Sequence, residues 1–314
     1  MLIETQQATQ EELPHLLATL QGCWKSSSLL WMHANGFPVL SGLVLSDWSH
    51  ESEEAVARFC RERNLAELLL RIEKRGERWI RRRGGYTIPV HAAHGLVDEL
   101  AREGMLAVLL EPASPNADRY SLTSVCDLKT GRVDLEAVGP GFDASDILRG
   151  DTTPHERFEA ILGQFQALRP RRLHLIEPDA YRASAQRRLT KIGARLRNPS
   201  FPDEVLKAAS GPPSEQLAQE AVQYLKKTGQ TLLLDHLNEY EPIPSSLLEA
   251  FLSQLLRLFR ATAEAHAPWK ALSIAGSVLE PSRLLIWDFF PPGNGDTRFL
   301  ASMTAQPFLA DSGL

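Results

Sequence analysis

Residues Leu68 to Gly85, LLLRIEKRGERWIRRRGG, join a short apolar run to a dense group of positive charges. Three leucines and an isoleucine predict a buried β-strand at the start of this stretch. Two glutamates, Glu73 and Glu77, stand among the basic residues, and the stretch closes on the paired glycines Gly84 and Gly85. The basic residues are Arg71, Lys74, Arg75, Arg78, Arg81, Arg82 and Arg83.

This local surplus of positive charge indicates an anion site. The whole protein has 34 basic and 39 acidic residues and a net charge of −5, so a basic segment stands out. Guanidinium groups bind phosphate oxygens in a fork, and glycine lets backbone amides approach the same anion. The alternative is a solvated hairpin whose arginines only face water.

Length and composition set the broad class. The 314 residues suffice for one large domain or two ordinary ones, and 43% hydrophobic with 23% charged residues is typical of a soluble globular protein. No apolar run reaches the roughly 18 residues that span a bilayer, and the N-terminus has no signal-peptide pattern. Cys23, Cys60 and Cys126 are odd in number and far apart, which favours reduced thiols. We therefore expect a cytoplasmic protein with no membrane partner.

The pattern of apolar residues predicts helices and strands that are mixed along the chain, which indicates an α+β or α/β protein. Lys129-Thr130-Gly131 predicts a hairpin turn between two strands. Pro154 predicts a helix over His155 to Ala167, and the apolar run from Thr231 to Asp235 predicts a buried strand. Other expected helices cover residues 10–20, 23–33, 49–64, 92–103, 214–227 and 245–266, with basic helices within 181–209. Other expected strands cover residues 37–45, 68–73, 86–90, 105–111, 119–127, 132–138, 173–176, 270–279 and 284–290.

Three patches in the first third of the chain occur in an order that resembles one family of proteins. The first is Lys25-Ser26-Ser27-Ser28-Leu29-Leu30, followed by Gly36-Phe37-Pro38-Val39 and Gly42-Leu43-Val44-Leu45. The second is Leu70-Arg71 followed by Gly84-Gly85-Tyr86, and the third is Val108-Leu109-Leu110-Glu111-Pro112. Together they resemble the ATP-grasp nucleotide-binding domain of phosphoenolpyruvate synthase and pyruvate phosphate dikinase.

The resemblance implies an α+β, ATP-grasp-like fold in which ATP binds in a cleft between two α+β lobes. It places the N-terminal lobe and its phosphate-binding loop at residues 1–104, and a C-terminal lobe with the adenine strand at 105–314. Lys25 and Arg71 would supply fixed charges to the triphosphate, and Gly84 and Gly85 would let backbone amides approach it. Glu111 would accept hydrogen bonds from the ribose or the adenine.

The same resemblance implies a Mg²⁺ site on the last two strands. Asp288 stands on the second of these strands, where a ligand is expected. The first strand offers only Ser273 and Ser277, unless Glu280 at its end takes the place of a ligand. Because a Mg²⁺ site normally uses one or two carboxylates together with phosphate oxygens, the metal site departs from the family pattern.

These residues support three functional hypotheses. The first is an ATP-dependent ligase or phosphotransferase that activates a carboxylate or phosphorylates a small-molecule acceptor, with Arg71 and Lys25 as catalytic residues. The second is a non-catalytic nucleotide-binding or scaffold protein with a degenerate metal site. The third is a nucleic-acid binder that uses the stretch around Arg71 and a second basic region, residues 169–197. The second region has few aromatic residues for stacking, so we expect no nucleic-acid partner. The sequence does not determine the oligomeric state.

Two other motifs remain open. Gly139-Pro140-Gly141-Phe142-Asp143-Ala144 matches a dinucleotide-binding pattern, but Pro140 removes an amide donor. A rigid loop in which Asp143 caps a helical turn is therefore the preferred interpretation. His91 and His94 have a spacing that would hold a metal on a helix, but no third ligand accompanies them. His155 and Glu156 follow a proline and are interpreted as a helix start.

Overall fold

Helices and strands are mixed along the described chain, and the strands form two antiparallel sheets, which confirms the α+β class. The computed structural model describes residues 1–76, 86–112, 118–142, 147, 152–163, 166–197, 213–237, 239–266, 270–279, 283–290, 300 and 302–303. The chain divides into two compact units. The first comprises Met1–Ala113, Gln254–Leu272 and Ile286–Leu314, and the second comprises Ser114–Ser253 and Ser273–Leu285.

Five strands form the sheet of the first unit. They are β1 (Leu2–Glu4), β2 (Gly42–Leu45), β3 (Glu67–Lys74), β4 (Tyr86–Pro89) and β5 (Met105–Leu110). Their order is β1-β2-β5-β3-β4, with antiparallel pairing throughout. Because β5 lies between β2 and β3, residues 105–110 continue the first unit, whereas the sequence-based division assigned them to the second lobe.

The helices of the first unit begin and end largely where the sequence predicts. They are α1 (Leu13–Thr19), α2 (Trp24–Ala34), α3 (His50–Arg63) and α4 (Ala93–Arg102). Ser49 caps α3 by accepting a hydrogen bond from the backbone N–H of Ser52 (3.2 Å). Asn64 ends α3 in the left-handed conformation at φ 53°, which asparagine tolerates better than most residues.

One face of this sheet packs against α3 and α4. Leu68, Leu70 and Ile72 alternate along β3 and are buried with Phe59 of α3 and Val97 of α4. Side chains of neighbouring strand residues point to opposite faces of a sheet. The residues that alternate with these three on β3 therefore project from the face that α3 and α4 do not cover.

The second sheet has six strands in the order β11-β10-β6-β7-β8-β9. They are β6 (Asp118–Asp127), β7 (Arg132–Val138), β8 (Glu156–Ile161), β9 (Arg171–Leu175), β10 (Ala271–Leu279) and β11 (Arg283–Phe290). The hairpin between β6 and β7 is confirmed. Asp127 accepts hydrogen bonds from the backbone N–H groups of Lys129 (2.9 Å) and Thr130 (2.8 Å), and Gly131 has a φ of +71°.

In the part of the chain that the structure describes, the second unit contains the helices α5 (Pro178–Arg197) and α6 (Glu215–Thr228) and the short α7 (Leu232–Asp235). The division between the units falls within α8 (Ser245–Glu264), β10 and β11. Helices α5 and α6 approach closely at Gly193, where a Cβ would lie 2.0 Å from the backbone oxygen of Leu217. None of the helices in the described ranges is long and apolar enough to cross a membrane.

The predicted helix over His155 to Ala167 is wrong, because this segment contains β8. Glu156, Phe158 and Ala160 are buried, whereas the residues between them face outward. This period of two is that of a strand, and β8 pairs with β7 on one side and β9 on the other. A proline can precede either a helix or a strand, so Pro154 did not distinguish between these two elements.

The predicted strand over Thr231 to Asp235 is also wrong, because the segment forms the single turn of α7. The backbone N–H of Asp235 donates to the carbonyl of Thr231 (2.9 Å), and buried Leu233 packs in the core of the second unit. An apolar run of this length has no period that separates a strand from a helical turn.

Ion pairs cross the outer face of the second sheet. Arg132 pairs with Glu159 (3.1 Å), Arg157 pairs with Glu136 (3.1 Å), and Arg171 also pairs with Glu159 (2.6 Å). Charges of opposite sign on neighbouring strands are favourable, although each exposed pair contributes little. Arg171, which the sequence assigned to the second basic region, is therefore engaged with an acidic neighbour.

Candidate functional site

Arg71 lies in the middle of β3, opposite Val108 of β5. It alternates with Leu70 and Ile72, which face α3 and α4, so its side chain projects from the other face of the sheet. The side chain is half-buried. The predicted strand thus fixes the position of Arg71 in the sheet.

Lys25 is the second residue of α2 and lies against the same strand. Its Nζ is 3.5 Å from the carbonyl oxygen of Ile72, the residue that follows Arg71. The Lys25 side chain is half-buried as well. Two of the predicted site residues, distant in sequence, are therefore brought to one place on β3.

Glu73 joins the start of α2 to β3, a role that the sequence did not reveal. Its Oε1 accepts a hydrogen bond from the backbone N–H of Lys25 (2.6 Å). Its Oε2 accepts from the backbone N–H of Ser26 (3.0 Å) and from the Ser26 hydroxyl (2.6 Å). Glu73 is only 4% exposed. The sequence showed that Glu73 alternates with the apolar residues of the predicted strand. It did not show that the start of α2 is the partner of this glutamate.

Burial raises the pKa of Glu73, while the hydrogen bonds from Ser26 and Lys25 and the nearby Lys25 charge act in the opposite direction. A carboxylate at a helix N-terminus also interacts favourably with the helix dipole. The backbone amides at the start of α2 are thus satisfied by a side chain of the protein itself.

The base of the basic turn is fixed to the loop that precedes α2. The backbone N–H of Gly76 donates to the carbonyl of Gly22 (2.8 Å), and the Arg75 guanidinium donates to the carbonyl of Thr19 (2.9 Å). Gly22 has a φ of +83°, and a Cβ there would lie 3.1 Å from Arg75 Cγ. The turn therefore begins beside the segment that carries Lys25. Gly84 and Gly85 lie outside the described residues, so the phosphate loop stays a prediction.

Glu111 is not brought together with Arg71. It follows β5, and its Oε2 lies 3.6 Å from Nε of Arg63 in α3. The Arg63 guanidinium in turn lies 4.3 Å from the ring centre of Phe59. Because α3 covers the sheet face opposite Arg71, the Glu111 carboxylate and the Arg71 guanidinium lie on different sides of the sheet.

Asp288 lies on β11, which pairs with β10 at one edge of the second sheet. Ser273 of β10 is half-buried. The surroundings of the Asp288 side chain and all of Glu280 are outside the described part of the chain. Among the residues that the structure does describe, no three His, Cys, Asp or Glu side chains are grouped as a metal site. The Mg²⁺ assignment stays a prediction.

A second buried polar cluster lies in the second unit and was missed by the sequence. His155 is fully buried, and its Nδ1 accepts a hydrogen bond from the backbone N–H of Gly139 (3.0 Å). Its Nε2 lies 3.5 Å from the Ser184 hydroxyl, which in turn contacts the Thr152 hydroxyl (2.7 Å). Since Nδ1 accepts, neutral His155 carries its proton on Nε2 and cannot act as a base toward Ser184.

The cluster continues through Glu156, which is also fully buried. Glu156 Oε1 accepts from the Tyr240 hydroxyl (2.6 Å) and from the backbone N–H of Ile243 (2.7 Å). Its Oε2 forms an ion pair with Nε of Arg172 at 2.7 Å, without hydrogen-bond alignment. These contacts join β8, β9 and the segment before α8, so we interpret the cluster as a polar part of the core.

The rings around His155 exclude water. Phe142, Tyr181 and Tyr240 have ring centres within 4.6 to 5.2 Å of the imidazole centre. Burial lowers the pKa of His155 to about 3 and raises the pKa of Tyr181 to about 12. The pattern Gly139-Pro140-Gly141 is thus the start of a loop held by His155. Arg188 also holds this loop, because its Nε donates to the carbonyl of Gly141 (3.1 Å).

The buried imidazole predicts acid sensitivity. The unfolded chain protonates His155 near pH 6.5, whereas the folded chain resists protonation down to about pH 3. The unfolded state therefore binds more protons in this range, and the stability from His155, fully present above pH 6.5, is lost as the pH falls. Between pH 7 and 5 the wild type should lose about 2 kcal/mol more than His155→Gln, measured by urea unfolding.

The control for this prediction is His174→Gln on β9, where the side chain is exposed. This variant should keep the pH dependence of the wild type, because it leaves the buried His155 in place. Equal pH slopes for the wild type and His155→Gln would contradict the assignment.

No family model matches the chain, and no curated protein matches it. The ATP-grasp interpretation consequently rests on the residues that carry the resemblance and on their placement.

Proposed function

We propose that this chain is an ATP-grasp-like protein that binds ATP with Mg²⁺ and activates a carboxylate for ligation or phosphorylates a small acceptor. The observation that carries the proposal is the placement of Lys25 Nζ 3.5 Å from the carbonyl of Ile72, next to Arg71. Lys25 of α2 thus lies beside the stretch of β3 that carries Arg71, and the resemblance assigns both cations to the triphosphate. The two antiparallel sheets are compatible with a two-lobed fold.

The charge and burial of these two side chains suit a polyphosphate. Both are half-buried, so their charges are screened by solvent less than those of exposed side chains. Arg71 would bind two phosphate oxygens at once through its planar fork, and Lys25 would act as a point charge. Both residues would stabilise negative charge that develops on the phosphoryl group, which ATP supplies when it is bound.

The same proposal assigns Gly84 and Gly85 to the phosphate loop and Asp288 to Mg²⁺. Glu111 is assigned to the nucleoside, although its carboxylate pairs with Arg63 on the other side of the sheet.

A second candidate function is a nucleotide-binding or scaffold protein without catalysis. The sequence of β10 favours it, because this strand carries Ser273 and Ser277 where the family has a metal ligand. In this case ATP would bind equally well with and without Mg²⁺, and incubation with candidate acceptors would release no ADP.

The cytoplasm is the proposed location. Cys23, Cys60 and Cys126 are buried and form no disulfide. Buried thiols of this kind persist in a reducing compartment.

Arg71→Ala tests the proposed site. We expect the variant to lose about 1.5–3 kcal/mol of ATP binding free energy, roughly 10- to 150-fold in affinity, because charge-assisted hydrogen bonds to phosphate are removed. Isothermal titration calorimetry with ATP and Mg²⁺ measures the affinity, and an ADP-release assay with candidate acceptors measures turnover.

The matched control is Arg102→Ala in the last turn of α4, where the side chain is exposed. This variant should bind ATP as the wild type does. If Arg71→Ala also binds ATP with wild-type affinity, Arg71 does not contact the phosphates.

A further inference from the structure

We propose that Glu73 is the positioning residue of this site, and that it fixes Lys25 relative to Arg71 so that both cations meet one triphosphate. The inference rests on the proposed function, because it concerns the nucleotide site described there. Glu73 touches no nucleotide in this scheme. It acts through the first turn of α2, whose second residue is Lys25.

The contacts of Glu73 leave the first turn of α2 little freedom. Oε1 accepts a hydrogen bond from the backbone N–H of Lys25 (2.6 Å). Oε2 accepts from the backbone N–H of Ser26 (3.0 Å) and from its hydroxyl (2.6 Å). All three donors are held by one carboxylate that is 4% exposed. Short hydrogen bonds to a charged acceptor are stronger and more directional than neutral ones. The backbone of Lys25 is therefore tied to β3.

The position of Glu73 on β3 brings the start of α2 to the sheet face that carries Arg71. Glu73 follows Arg71 by two residues, so the two side chains leave the strand on the same face. Lys25 is held to this face twice, through its backbone at Glu73 and through Nζ near the carbonyl of Ile72. The first turn of α2, and with it Lys25, is thus tied to the strand that carries Arg71.

The contacts of Glu73 also determine which backbone amides of α2 could bind an anion. The N-terminus of a helix commonly binds phosphate through its free amides. In α2 the amides of Lys25 and Ser26 are directed at Glu73, so these two amides would not bind a phosphate. The KSSS segment at this helix start would then act through the Lys25 ammonium and not through its backbone.

A double-mutant cycle tests the inference. The amide of Gln cannot accept from every donor that faces Glu73, so Glu73→Gln would shift the first turn of α2 and with it Lys25. We expect Glu73→Gln to weaken ATP binding about tenfold and to leave adenosine binding unchanged, since a displaced cation affects only the phosphates. In a Lys25→Ala background the same change should have no further effect on ATP.

Ser49→Ala is the structural control. It removes the cap of α3, also in the first unit, and loses a helix-capping hydrogen bond without touching Lys25. It should keep wild-type affinity for ATP and for adenosine. If Glu73→Gln does not fold by circular dichroism, Glu73→Asp, which keeps the charge but shortens the side chain, takes its place in the cycle.

The outcomes separate the two claims. If the wild type does not bind ATP, the proposed function is wrong and the role of Glu73 with it. If the wild type binds ATP but Glu73→Gln binds it equally well, only the role of Glu73 is wrong. Loss of ATP and adenosine binding to the same extent, or a further tenfold loss in the Lys25→Ala background, would also overturn the positioning role.

Discussion

Glu156→Ala should lower the free energy of unfolding by about 2–4 kcal/mol, because a buried donor left without its acceptor costs roughly 1–3 kcal/mol. Glu156 is fully buried, and its carboxylate holds the Tyr240 hydroxyl (2.6 Å), the Ile243 amide (2.7 Å) and the Arg172 guanidinium (2.7 Å). The substitution would leave the Tyr240 hydroxyl and the Ile243 amide without this acceptor, whereas the Arg172 guanidinium, 42% exposed, would still meet solvent. Chemical denaturation at pH 7 measures the loss.

The control for Glu156→Ala is Glu136→Ala on the neighbouring strand. Glu136 is about one third exposed and pairs with Arg157 on the outer face of the same sheet (3.1 Å). Its removal should cost at most about 1 kcal/mol, because exposed ion pairs contribute little. Similar losses for the two variants would show that the buried contacts of Glu156 do not stabilise the fold.

Gly193→Ala should destabilise the protein by about 1–3 kcal/mol, although alanine is the better helix former. Gly193 lies within α5, and a Cβ there would be 2.0 Å from the backbone oxygen and 2.7 Å from the carbonyl carbon of Leu217 in α6. Backbone atoms cannot rotate away, so the two helices would have to separate. The small residue is therefore required by helix packing.

A glycine-to-alanine substitution in α4 should instead stabilise the protein. Gly95 is exposed, and no atom lies within 4 Å of a Cβ built there. Gly95→Ala should raise the free energy of unfolding by about 0.4–1 kcal/mol, because alanine restricts the unfolded chain. Thermal unfolding of both variants measures the difference, and destabilisation by both would show that packing at Gly193 is not the cause.

Local signals predicted the elements whose ends are determined by nearby residues. Ser49 and Asn64 limit α3, and Lys129-Thr130-Gly131 turns the chain between β6 and β7, all as expected. In these cases the hydrogen-bond partners are within a few residues, so the sequence contains both sides of the interaction. The helix predicted over His155 to Ala167 failed because Pro154 suits either structure and because the partners of β8 are distant in sequence.

The candidate site shows the same limit. The residue types and their order indicated Lys25 and Arg71, and in the structure Lys25 Nζ lies 3.5 Å from the carbonyl of Ile72, the residue after Arg71. The sequence did not reveal Glu73, because its partners at the start of α2 lie nearly fifty positions earlier. It also did not reveal that Glu111 lies on the opposite side of the sheet from Arg71, a matter of strand alternation and of where α3 packs.

By itself the sequence determined the mixed class and most helices and strands, since these depend on composition and on short-range periodicity. Tertiary structure alone decided which strands are neighbours, which face of β3 carries Arg71, and that a buried carboxylate occupies the start of α2. The physical reason is that burial and pairing join residues far apart in the chain, and the free energy of such contacts depends on geometry that no local pattern contains.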